Sequence, residues 1–155
     1  MNAAHLLLAL TLPLHQTTAT PPPMRPYHLV LPSVSYGAPL RTSASVAVFF
    51  ARPDTKQYPI IGGWLAEAGA GQGGARVSAG YSRYLEYCGI DWRGVLTRTF
   101  DSPRDATPRS TYAGVEGGLT IAYVRFSAGV ARRLGGSGGK ATVFTWSGGV
   151  EIPIK

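Results

Sequence analysis

Apolar and polar residues alternate along this chain with a period of two from about Gly63 to Ile154, and the alternation stops only at turns rich in Gly, Pro or Asp. Successive side chains of a β-strand point to opposite faces, so the pattern predicts strands with one apolar and one polar face. The apolar face collects Trp64, Ala66, Ala68 and Ala70; Ala75, Val77, Ala79 and Tyr81; Ala113, Val115, Leu119 and Ile121; Val124, Phe126, Ala128 and Val130; and Phe144, Trp146, Val150 and Ile152. None of these is charged. The opposite face collects Glu67, Gly69 and Gly71; Arg76, Ser78 and Gly80; Gly114, Glu116, Gly118 and Thr120; Arg125, Ser127 and Gly129; and Thr145, Ser147 and Glu151.

Extended to both ends, the pattern predicts eight strands, at 28–37, 43–52, 63–71, 75–86, 91–100, 111–121, 123–133 and 141–152. Pro32 weakens the first, because proline cannot donate to a strand ladder. Asp54 to Pro59 carry turn chemistry after the second, and Gln72-Gly-Gly74 is a hairpin signal between the third and fourth. Later links alternate in length: 102–109 and 135–140 are long and polar, while the chain turns tightly around Ala122. An even number of strands joined by sequential hairpins is what an antiparallel up-and-down β-barrel needs to close. The expected fold is therefore all-β, with a single barrel domain over 28–155.

An eight-stranded barrel has an interior just wide enough for side chains. Glycines beside long Glu and Arg suit that crowding, which places the charged face inside and the apolar face outside. Charged residues make up only 15% of the chain, against about 25% for a typical soluble domain. Part of the surface is thus expected to meet lipid. Glu67, Arg76, Glu116, Arg125 and Glu151 are expected to form an ionic network within the lumen, a structural plug, since an unpaired charge there would cost several kcal/mol, roughly.

On these residues the stretch from about 28 to 154 resembles the small eight-stranded outer-membrane β-barrels of Gram-negative bacteria. The resemblance lies in the pattern of alternating strands, a polar interior and aromatic girdles; Trp64, Tyr81, Trp92, Tyr112, Tyr123 and Trp146 are the girdle candidates. It implies an exported membrane protein with membrane lipids as partners. Two departures stand out. Such barrels usually end in an aromatic residue, whereas this chain ends Glu151-Ile-Pro-Ile-Lys155, and Arg98 falls on the Trp92/Leu96 face.

The N-terminal region agrees with export. Residues 1–20 hold no Asp, Glu, Lys or Arg, and Leu6 to Leu14 form an apolar run shorter than the ~20 residues of a spanning helix. That is the middle of a secretory signal peptide, although no Lys or Arg precedes it. Residues 21–27 follow as a proline-rich spacer. The net charge of +7 suits phosphate-bearing partners. The loop cations Arg104, Arg109, Arg132, Arg133 and Lys140 form either a solvated rim or a set of contacts to lipid phosphates such as those of lipopolysaccharide, where arginine forks bind bidentately. Nucleic acid is not expected, since the basic residues alternate between faces and form no aromatic-lined groove. Cys88 is the single cysteine, which excludes an internal disulfide and a thiolate cluster; it is expected to be a partly buried, inert thiol.

Candidate chemistry is sparse. Gly69 to Gly74 spell the dinucleotide fingerprint GxGxxG, with Asp91 twenty residues past Gly71, but the mechanism needs a helix at the glycines and the following residues alternate as a strand. His5, His15 and His28 are the only histidines, two of them in the signal-like segment, and no serine nucleophile can be assigned to the third. No metal site, cofactor or catalysis is expected. The leading expectation is an outer-membrane barrel with a plugged polar lumen acting through its loops. The alternatives are a soluble, periplasmic or secreted lipocalin-like barrel binding an apolar ligand and, third, a lipid-modifying barrel enzyme.

Overall fold

The computed structural model describes residues 25–53, 60–85, 87–136 and 138–154. The signal-like segment 1–20, most of the spacer, and the turn at 54–59 lie outside the described residues. Eight strands follow in order: β1 (Tyr27–Ala38), β2 (Arg41–Pro53), β3 (Ile60–Gly71), β4 (Gly74–Leu85), β5 (Cys88–Thr99), β6 (Thr111–Ile121), β7 (Val124–Gly135) and β8 (Thr142–Glu151). Each pairs antiparallel with the next, and β8 pairs with β1, closing the barrel. The fold class read from the alternation holds.

Closure at the β1–β8 seam is short. Ser33–Ala38 pair with Glu151–Trp146, and an isolated bridge between Val30 and Ile154 extends the contact. Pro32 falls where the regular seam ends, and its carbonyl accepts the Ile152 N–H at 3.0 Å. Proline has no N–H to return that bond, so the ladder is interrupted at this pair and resumes at Val30 and Ile154, where both bonds form. Strands β2, β3 and β5 begin two or three residues before their sequence-based limits. Gly62 and Gly63 do not break β3, because the Tyr81 ring covers the first and the Phe50 carbonyl packs on the second. Cys88 to Ile90 pair with Ile121 to Leu119 instead of turning.

The links after β4 and β6 and both ends of the barrel chain lie at one mouth, called the lower mouth; the links after β1, β3, β5 and β7 form the upper one. The lower links after β4 and β6 are two residues long, and Ala122 takes a left-handed φ of 53° in the second. The upper links at 100–110 and 136–141 are long, as the sequence implied. Gly69 to Gly74 form the β3–β4 hairpin, with no helix to bind a pyrophosphate.

The faces sort as the pattern predicts. Val77 and Phe126 are each 52% exposed outside, whereas Glu67 is 7% and Glu116 3% exposed inside. Inward glycines let the narrow wall curl: a Cβ on Gly80 would collide with the Trp92 carbonyl, and one on Gly129 with the Val115 carbonyl. The lumen is layered. Leu31, Ala47, Phe49, Ala51 and Leu65 form an apolar cluster toward the lower mouth, and Tyr112, Ala131 and Val143 form another toward the upper. Charged side chains fill the layer between.

Candidate functional site

The middle layer is a seven-residue ionic cluster drawn from β3 to β8. Alternation aims Glu67, Arg76, Glu116, Arg125 and Glu151 inward, and it does the same for Asp91 and Arg93 of β5. Glu67 is the hub. It meets Arg76 at 3.2 Å and Arg125 at 3.5 Å, pairs closely with Arg93, and accepts a 2.8 Å hydrogen bond from the Ser45 hydroxyl. Arg76 reaches Glu116 at 3.1 Å, and Arg93 lies 2.7 Å from Asp91 and 3.5 Å from Glu116. Arg125 bridges Asp91 at 3.1 Å and Glu151 at 2.9 Å. Serine pairs, Ser33 with Ser45 and Ser127 with Ser147, fill the wall around it. A void of about 10 Å³ remains among these groups, close to the lower limit for one water molecule.

Asp91 and Arg93 are the two members that the sequence reading left out. In the sequence Asp91 stands out only as a fingerprint acid, and Arg98 breaks the face pattern of β5. The signal was nevertheless present, because both residues share a face with Val95 and Thr97, opposite Trp92 and Leu96. Arg98 itself is next to last in β5, faces outward, and donates to the Thr111 hydroxyl at 3.0 Å.

The upper rim holds the loop cations, but not as one set. Arg104 lies 5.4 Å from the ring centres of both Tyr36 and Trp146 and hydrogen-bonds the Tyr36 hydroxyl, so the loop from β5 latches across the mouth onto the β1–β8 seam. Arg109 pairs with Asp101 at 2.6 Å; that hydrogen bond and the carboxylate charge raise its guanidinium pKa further. Lys140 Nζ donates to the Asp105 carbonyl at 3.2 Å. Arg132 is exposed and has no polar partner among the described residues. Arg133 is half-buried on the lumen side of β7, with one guanidinium nitrogen buried and unpartnered, so it and Arg132 present to opposite faces. Arg98 joins Arg132 outside, one on each flank of β6. Below Arg98 runs an outward groove lined by Ala68, Ala70, Ala75, Val77 and Leu96.

Two sequence expectations need correction. Tyr112 is no girdle residue: it is fully buried, accepts the Thr107 N–H at 3.0 Å and donates to the Lys140 carbonyl at 3.2 Å. Cys88 is exposed, because it starts β5 on the outward Ile90/Trp92 face. Toward the lower mouth the ionic cluster ends at Glu151. That residue forms part of the wall of a half-open cavity of about 280 Å³ at the lower mouth, lined also by Leu29, Leu31, Phe49, Ile61, Tyr84, Tyr87 and Tyr123. Among the described residues no group of three or more His, Cys, Asp or Glu is placed to hold a metal ion. His28 is exposed on the outward face of β1.

The chain matches no protein-family model, and no match to it is found among curated proteins or solved structures.

Proposed function

We propose that this protein is an outer-membrane β-barrel, exported by its N-terminal segment, with a lumen blocked by its own side chains. Its role is structural or interaction-based, carried by the upper loops 100–110 and 136–141. One observation carries the reading: the outward face is a continuous apolar belt. Val46, Phe50, Trp64, Val77, Trp92, Val115, Phe126, Val130, Phe144 and Val150 are all between 49% and 70% exposed on it. Soluble monomers rarely expose apolar patches beyond a few hundred Å². In hydrocarbon the same belt is well solvated, and a closed barrel leaves no unpaired strand edge to the lipid. Burying seven charged groups inside while leaving large apolar groups outside is an inside-out arrangement for a protein in water.

The rim cations extend the reading. Outward-facing Arg98 and Arg132 stand where a lipid headgroup would sit, and guanidinium forks suit the phosphates of lipopolysaccharide. A soluble ligand-binding barrel is favoured by one feature, the apolar cavity at the lower mouth, but that reading needs the Val77/Phe126 face to look inward. The test is fractionation of cells expressing the full chain. The expected result is recovery in the outer-membrane fraction, release only by detergent, and a gel mobility that shifts on heating. Recovery in the aqueous fraction without detergent overturns the proposal.

A further inference from the structure

We infer that the lower mouth is a binding site for a small hydrophobic organic cation, such as a quaternary ammonium or an alkylated amine. The inference concerns the cavity and holds whichever solvent surrounds the barrel.

The cavity, about 280 Å³, lies near the small end of the range for ligand pockets, with room for one ring or one short alkyl group. Leu29, Leu31 and Ile61 make its wall apolar, and four aromatic residues, Phe49, Tyr84, Tyr87 and Tyr123, line it as well. Phe49 and Tyr84 meet edge to face at 5.3 Å, which fixes two of the rings. Aromatic faces attract cations through their quadrupole, and ammonium ligands are commonly held in aromatic cages.

The charge balance of the middle layer, among the described residues, selects the sign of the ligand. Three guanidinium groups, Arg76, Arg93 and Arg125, face four carboxylates, Glu67, Asp91, Glu116 and Glu151. Each of the first three carboxylates meets at least two arginines. Among the described residues Glu151 meets only Arg125, which is shared with Asp91 and Glu67. The surplus negative charge thus lies at the group that borders the cavity. A buried carboxylate with half a partner is costly in a low-dielectric surrounding, and a cation arriving beside it recovers part of that cost. An anionic amphiphile meets the same carboxylate and is repelled. A neutral one gains the apolar wall alone.

The test uses the full barrel in a neutral maltoside detergent, folded as judged by heat-shifted gel mobility, titrated calorimetrically with benzyltrimethylammonium and, separately, with 3-phenylpropionate. The expected result is saturable one-to-one binding of the cation, with the anion at least tenfold weaker. Glu151→Gln should weaken the cation at least tenfold and leave the anion no weaker. Tyr87 and Tyr123 sit in exposed two-residue links, so the double variant Y87A/Y123A keeps the barrel and should lose affinity several-fold; it decides the matter if the Glu151 variant does not fold. Binding of the anion as tight as the cation, heats that never saturate, or affinity unchanged in either folded variant overturns the assignment.

Discussion

The two ends of the lumen arise from one alternating pattern yet close in different ways. At the upper end the long β5–β6 loop folds over the mouth, and Tyr112, Thr99 and Thr107 tie its backbone down: the Thr99 hydroxyl accepts the Ser110 N–H at 2.9 Å and donates to the Thr107 carbonyl at 2.7 Å. At the lower end the two described links, after β4 and β6, are two residues long and reach no further, and among the described residues Leu31, Phe49 and Leu65 fill the lumen and leave a cup. A loop brought over a lumen imports backbone donors and acceptors that need hydroxyl partners. Two-residue turns import few, and an apolar filling suffices. The contrast teaches that link length sets which chemistry plugs each end, with the ionic layer holding the two apart.

The largest effect is expected from breaking that layer. Glu67→Ala leaves Arg76, Arg93 and Arg125 with three carboxylates among them and no hub. Removing one partner of a buried ion pair costs about 3–5 kcal/mol. The expected outcome is a large fall in the urea midpoint of folded barrel in detergent, followed by tryptophan fluorescence. A loss below about 1 kcal/mol would mean that the layer does not separate the two ends.

Leu65→Ala tests the lower filling. Leu65 is 1% exposed and packs in the Leu31/Phe49 cluster, so the truncation is expected to cost about 2–5 kcal/mol. The same urea titration checks it, and hydrogen exchange should show the upper loop unchanged. Tyr112→Phe is the matching change above. It removes the hydrogen bonds to the half-buried Thr107 N–H and to the carbonyl of exposed Lys140, at about 0.5–1.5 kcal/mol for each bond lost. Faster amide exchange confined to 100–110 and 138–141 is the expected signature. Exchange that spreads to the lower cluster would dissolve the distinction between the ends.

Much of this architecture was legible in advance, because parity is a strict rule in a strand. Once Val77 and Phe126 were set outside, Glu67, Arg76, Glu116 and Arg125 had to lie inside, and they do. The same rule pointed to Asp91 and Arg93, but one outward arginine near the strand end hid them. Tyr112 shows the opposite failure. A tyrosine near a strand end reads as a girdle residue, although the parity it shares with Gly114 and Glu116 turns it inward; only the loop carbonyl it needed lay on a path that no local pattern encodes. The lower cup was illegible for a related reason: it arises from the stagger of β1–β4 past β7 and β8, a property of register across the whole sheet.

The smallest expected effect sharpens the contrast at the rims. If the upper end faces anionic headgroups, cations that point outward and lack other duties should carry the attraction. Arg104 is spent on Tyr36 and Trp146, and Arg109 on Asp101. Arg132 has no described partner, and Arg98 donates only to a neighbouring hydroxyl while standing over an apolar groove. The pair Arg98→Glu and Arg132→Glu should therefore weaken retention on vesicles bearing phosphorylated lipid by about 1 kcal/mol per cation removed, an effect that fades as salt is raised. Reversal of Arg109 should matter less, since its charge is already answered. Equal losses from all three would show that the rim acts as a diffuse positive field, and no change from any would remove lipid phosphate as the partner of this end.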